Sequence, residues 1–279
     1  MLEQKPDTRE HNAESHTNQV GRQFGRQATR YDAVSGIQAL LASKLWKSIA
    51  GLAPQSIGSV LDIGAGTGHL SIRLAKLKPT SIHLLDLSAE MLAEARARLL
   101  ADASDAEIYL HQANAEQWKP TPASTRFDLV ASSAAIQWFH DLDLFCQRAA
   151  SWTSSRGLVA LATFGPRTLN ELNSAYFAAT GQALTPGTRM VSANELQASL
   201  ERAGLSVRIV ETQVSFTEHE SPIAVLRDLK SMGVTGANAR SSLTRTSLEQ
   251  LESELKQSSL QSDGKIRCTW ELVWAVAEG

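Results

Sequence analysis

Asp62 and Asp86 stand on either side of a run of glycines, and this grouping is where the chain could do chemistry. The run is Val60–Gly68, V-L-D-I-G-A-G-T-G, with Gly64, Gly66 and Gly68 at alternate positions. Glycine at such points lets the backbone take positive φ and lets a ligand approach without meeting a Cβ. The first N–H groups of a helix beginning there have no partner within the helix and can donate to that ligand. Asp86 closes a second apolar run, Ser81–Leu85, and lies 22 residues beyond Gly64. An acid at the tip of a second strand is placed to take the two hydroxyls of a ribose. The implied guest is a ligand built on a nucleoside.

The elements that must position these groups are legible as alternating patterns. An apolar run from Ile57 to Ile63 predicts the first strand, and Leu70, Leu74, Ala75 and Leu77 recur at helical spacing after the glycines. Ser88 is placed to cap a helix through Met91, Leu92, Ala95 and Leu99. Glu107–His111 reads as a third strand, followed by Asn114, Ala115 and Glu116, where an adenine edge could find polar contacts. Phe127–Ser133 is nearly continuous in apolar residues, as a strand covered on both faces should be. Its exit carries Gln137 and Trp138 toward the same cleft. A helix over Leu142–Ser151 and a fifth strand, Gly157–Phe164, follow. Strands alternating with helices imply an α/β fold, a doubly wound and mostly parallel sheet with right-handed crossovers.

Beyond it, a helix is expected over 166–179 and another over Ser192–Ala203, with Ser192 as N-cap, Glu195 three residues on and Gly204 as stop. Leu205–Phe216 and Lys265–Glu278 alternate and complete seven strands as an antiparallel pair. Helices at Ser221–Gly233 and Ser247–Leu260 fall between them, so residues 217–262 read as an insertion over the cleft. At the other end, residues 1–18 have no apolar periodicity and read as a mobile tail ahead of one domain, 19–279. Ile37, Leu40, Leu41, Leu45 and Ile49 mark an amphipathic helix within an N-terminal cap, 19–50, in which Tyr31 could serve as an aromatic lid.

Composition narrows the classes. A net charge of −2 gives no general pull toward nucleic acid, and no apolar run is long enough to span a bilayer. Residues 1–20 lack a secretory apolar core, and Cys146 and Cys268 form neither a metal motif nor a disulfide framework. The expected location is the cytoplasm. His69, His83, His111 and His140 have no metal-ligand spacing, so no metal is expected.

D-x-G-x-G-x-G at 62–68 resembles the first motif of class I S-adenosylmethionine (SAM) methyltransferases. A dinucleotide fingerprint would want glycine where His69 stands, which disfavours a nicotinamide enzyme. Two further segments, F-G-R-Q-A-T-R-Y-D at 24–32 and L-R-D-L-K-S-M-G-V-T-G-A-N at 226–238, resemble the malonyl-[acyl-carrier-protein] O-methyltransferases of biotin synthesis. A-A-I-Q-W at 134–138 and T-F-G-P-R-T-L-N-E-L at 163–172 fit that family too. The cofactor-binding set this resemblance implies is Asp62, Gly64, Ala65, Gly66, Gly68, Asp86, Leu87, Asn114, Ala115, Glu116, Ser132 and Tyr31.

The implied reaction passes the methyl group of SAM to the free carboxylate of a malonyl thioester on acyl-carrier protein, or on coenzyme A. A carboxylate is ionised at neutral pH, so no general base is nominated. Arg227 is the candidate clamp for that carboxylate, because its fork matches two oxygens. Gln137, Trp138 and Tyr31 would wall the pocket. Lys230, Arg240 and Arg245, with no acid from Leu229 to Leu248, could dock an acidic carrier. A small free acid such as an aconitate, or a quinone ring, remains the alternative acceptor on the same fold. A SAM-binding module without turnover is the non-enzymatic alternative.

Overall fold

The computed structural model describes residues 35–54, 57–102, 104–183, 189–231 and 244–279. The tail, most of the N-terminal cap with Tyr31, and the G-V-T-G-A-N part of the insertion with Arg240 lie outside them. The apolar runs form seven strands: β1 (Ser59–Ile63), β2 (Ser81–Asp86), β3 (Glu107–Gln112), β4 (Phe127–Ser133), β5 (Thr153–Phe164), β6 (Ser206–His219) and β7 (Ile266–Glu278). They form one sheet in the order β3-β2-β1-β4-β5-β7-β6. The first five run parallel, while β7 is antiparallel to both β5 and β6. The doubly wound sheet expected from the alternation is thus the observed one, including its closing antiparallel pair.

Helices cover both faces. On one lie α1 (Gly36–Leu52), α2 (Ser71–Leu74) and α3 (Ala89–Ala101). Leu41, Leu45 and Ile49 of α1 pack with Leu129, Ala160 and Trp274, and Trp274 Nε1 donates to Ser48 Oγ at 3.0 Å. Leu92, Ala95 and Leu99 of α3 pack on Ile82 and Leu84. On the other face, α4 (Leu142–Trp152) and α6 (Ala193–Arg202) bury Phe145, Ala149, Leu196 and Leu200 against Val130, Val159 and Ala275. The expected caps form: Ser88 Oγ accepts from Met91 N–H at 3.2 Å, and Ser192 Oγ from Glu195 N–H at 3.2 Å.

Two expectations change. The helix read across Leu70–Leu77 is only a single α-helical turn that tightens into a 3₁₀ turn at Ala75–Leu77. Lys78 then takes φ +53 and Pro79 bars continuation. The fifth strand also begins earlier than Gly157, directly at the end of α4, because Thr153 pairs with Phe127.

Strand direction decides where the connections fall. Because β6 is parallel to β5, its last residue, His219, lies at the same end of the sheet as Ile63, Asp86 and Ser133. The β6–β7 connection therefore leaves and re-enters the sheet at the carboxyl ends of the parallel strands. It holds α7 (Pro222–Ser231) and α8 (Arg245–Ser259), and α5 (Asn170–Thr180) packs beside α8 after leaving β5 at that end. Val225, Leu229, Leu251 and Leu255 bury this layer against Ile266, Cys268 and Trp270.

Candidate active site

The order of the sheet reverses between β1 and β4, and in such sheets ligands bind outside the carboxyl ends at that point. Every sharp feature of the chain gathers there. Gly64, Gly66 and Gly68 take φ of +67°, +52° and +90°. Gly64 and Ala65 donate to Leu85 O at 2.7 and 3.2 Å, which ties the loop to the end of β2. A Cβ on Gly64 would sit 2.3 Å from Ala135 Cβ, and one on Gly68 would sit 3.1 Å from Ala95 Cα. These two glycines serve close approach of the β4 exit and of α3. A Cβ on Gly66 would come no nearer to any other group than 4.0 Å, so open space stands above the middle of the loop.

Asp86 holds that loop: its Oδ2 accepts from Gly66 N–H at 2.9 Å and its Oδ1 from Ser88 N–H at 2.9 Å. A carboxylate has about four lone-pair sites, so acceptor capacity remains for ribose hydroxyls. Burial raises the Asp86 carboxyl above its ordinary range, against the pull of those N–H groups. Asp62 is more deeply placed, with its Oδ2 accepting from Ser71 Oγ at 2.5 Å. Burial, together with the nearby Asp86 charge, pushes its carboxyl up to about 7 despite the Ser71 hydrogen bond. A cationic ligand would meet two carboxylates here, and the vacant space over Gly66 admits it. The donor set and the cradle fit a sulfonium nucleoside.

The remaining expected residues occupy the rim in different ways. Asn114 Oδ1 accepts from Glu116 N–H at 2.9 Å, which turns the chain after β3, and Ala115 is buried at that turn. The Glu116 carboxylate accepts from His140 N–H at 2.8 Å and lies 2.9 Å from His140 Nδ1. It bridges the β3 exit to the β4 exit. Leu87 lends its carbonyl to Gln112 Nε2 at 3.4 Å. Ser132 is fully buried and donates to Ile63 O at 2.8 Å, stitching β4 to β1. Gln137 is buried with Nε2 donating to Ala134 O at 2.7 Å, in a turn where Ala134 adopts φ +56. Trp138 closes that turn, half-buried, its N–H on Ala135 O at 3.0 Å.

On α7 the buried stripe is Pro222, Val225, Leu226 and Leu229, and Ile223 is 56 % exposed. Helical spacing from Pro222 selects i+3, i+4 and i+7, which leaves Ile223 and Arg227 together on the outer face. Arg227 is 71 % exposed, with Nε 3.7 Å from Asp228 Oδ1. Asp228 Oδ2 in turn meets His219 Nδ1 at 2.9 Å, and His219 Nε2 meets Thr217 Oγ1 at 2.9 Å. Trp270 Nε1 donates to the same Thr217 oxygen at 2.9 Å. This buried chain of polar groups fastens α7 to β6. Arg245 is paired with Glu249 at 3.1 Å, one residue past the acid-free stretch, so it is not the uncompensated cation expected.

Sequence reasoning missed Ser71, Ala135, His140 and His219. None carries a local signal, since each acts across 9 or more positions through the fold.

Fold, glycine loop and paired carboxylates together define a SAM-dependent methyltransferase of class I. Residues 60–157 match a family described as "Methyltransferase domain". The fold is shared with a solved protein of Bacillus halodurans at a TM-score of 0.62 and 17 % identity, covering 85 % of this chain and 98 % of that one. A malonyl-[acyl-carrier protein] O-methyltransferase of Methylovorus is 31 % identical over 92 % of this chain and 87 % of its own length. One from Halorhodospira halophila is 30 % identical over 93 % and 87 %. The chain belongs to the malonyl-[acyl-carrier protein] O-methyltransferase family. Among the described residues, no helix is long and apolar enough to cross a membrane.

Proposed function

We propose that this enzyme methylates the free carboxylate of a malonyl group carried as a thioester on acyl-carrier protein, giving the methyl ester that primes pimeloyl formation in biotin synthesis. One observation carries the reading. The β6–β7 connection, which bears L-R-D-L-K at 226–230, overlies the same end of the sheet as the glycine loop. Bound SAM supplies a methyl group on a cationic sulfur, and everything else falls to the chain. The acceptor carboxylate arrives ionised, at a reference pKa of about 4, so no residue has to remove a proton. Asp86 orients the ribose, and Gly64 to Gly68 leave the backbone open beside it. Gln137, its amide committed to Ala134, acts as a fixed wall with Trp138. Holding the acceptor oxygen in line with the methyl carbon can supply roughly 7–11 kcal/mol in favourable cases. Excluding water favours the step further, because an anion and a cation cancel. Arg227 receives the acceptor carboxylate as its fork-shaped partner.

Incubation with radiolabelled SAM and malonyl-carrier protein, malonyl-coenzyme A, free malonate or acetyl-carrier protein tests this. Base-labile label on malonyl-carrier protein, and none on the acetyl form, is the expected result. Equal labelling of the coenzyme A ester would remove the carrier from the reading. Label on none of them, with SAM still bound, would redirect the search to small acids and quinones.

A further inference from the structure

Among the described residues, three buried side-chain polar atoms have no hydrogen-bond partner: Gln38 Oε1, Ser133 Oγ and Arg267 Nε. The last belongs to a guanidinium that bonds Glu218 at 3.2 Å and lies over the Phe216 ring. The other two belong to the cofactor end of the sheet, on one face. Gln38 is 6 % exposed and sits in the first turn of α1, three residues after Ser35. Ser35 Oγ is 2.9 Å from Nε2 of His69, directly after the glycine loop. Side chains three apart share a helix face, so the Gln38 amide lies one turn from that contact. Ser133 ends β4, and strand alternation puts it on the side of Leu129 and Ala131, which pack with Ile37 and Leu41 of α1. Asp62 is in register with Ala131 and shares that side.

A buried carbonyl without a donor is unfavourable and rare in folded proteins, so a ligand that brings one is the simplest account of it. Within SAM, the ribose falls to Asp86 and the adenine edge to the turn after β3, on the β2 and β3 side. What remains on the side of β4 and α1 is the amino-acid end. We propose that Gln38 and Ser133 hold that end of the cofactor. Gln38 Oε1 accepts from the α-ammonium beside the Asp62 carboxylate, and the Ser133 hydroxyl donates to the α-carboxylate. The proposal rests on the cofactor assignment above.

Titration calorimetry of the full chain with two probes tests it: S-adenosylhomocysteine, which keeps the amino-acid end, and 5′-methylthioadenosine, which lacks it. Gln38→Met preserves length and packing while removing the acceptor. It is expected to weaken S-adenosylhomocysteine binding about tenfold and to leave methylthioadenosine within about twofold, the loss typical of a hydrogen bond to a charged group. The unfolding midpoint of the unliganded variant should be unchanged or higher, since an unsatisfied buried carbonyl is gone. Ser133→Ala, a smaller change that serves if the first variant does not fold, should weaken only S-adenosylhomocysteine, about threefold. Equal weakening of both probes, or no weakening of either, overturns the proposal while the cofactor assignment stands. Wild-type protein that binds neither probe overturns both.

Discussion

The glycine-loop half of the active-site end and the β6–β7 cap above it are built by different means. In the former, the backbone is the binding surface: three left-handed glycines, N–H groups pinned by Asp86, and carboxylates buried at strand ends. In the latter, helices packed through Val225, Leu229, Leu251 and Leu255 present side chains outward, with Ile223 and Arg227 on the open face of α7. A ligand common to many enzymes is met by strand-end geometry that tolerates little change. On the proposed function, an acceptor peculiar to one enzyme would be met by a layer whose outer face can vary without disturbing the sheet beneath.

That contrast can be broken from either side. The largest expected effect is Gly64→Ala, which combines φ +67 with a Cβ 2.3 Å from Ala135. It should cost about 3 kcal/mol of stability and abolish SAM binding, as denaturant unfolding and calorimetry would read. Next comes Arg227→Ala, for which KM toward malonyl-carrier protein should rise about 10- to 100-fold while SAM affinity holds. Loss of SAM binding in that variant would dissolve the division between the two regions. Asp228→Asn should loosen α7 from His219 by about 1–2 kcal/mol, raising KM for the carrier and leaving the cofactor alone.

A further effect is one of pH. With its folded carboxyl near 7 against an ordinary 3.8, Asp62 holds a proton in the folded protein that the unfolded chain has already lost. Its contribution to stability is therefore full below pH 4 and is lost as pH rises to 7. A cation favours the ionised form, so SAM affinity should increase over the same interval. Asp62→Asn should flatten both profiles, measured by unfolding and by calorimetry from pH 4 to 8.

Much of the fold was legible because its signals are local. Near-continuous apolar runs such as Phe127–Ser133, the glycines at 64, 66 and 68, and Ser88 and Ser192 as caps each reveal themselves within a few residues. What stays hidden is what tertiary contacts decide. The phase of α7 is set by Pro222, Val225 and Leu229, which leaves the apolar Ile223 exposed. Only the fold brings His140 to Glu116. The bond from Ser71 to Asp62 and the unsatisfied Gln38 carbonyl are likewise invisible in any short window. Strand ends and glycine loops constrain residue type tightly and so leave local signals, whereas helices facing outward leave fewer.

The position of β7 has a consequence for how the protein is made. The 266–278 segment inserts between β5 and β6, so β6, although made earlier, has no strand to pair with until β7 arrives. As the chain emerges, β1 to β5 can assemble around the glycine loop, while β6 and the helices of the β6–β7 connection wait on β7. A ribosome stalled before residue 266 would display a half-finished sheet in which the glycine loop has its framework and the β6–β7 layer has none. Synthesis thus orders the two halves in time as the sheet orders them in space.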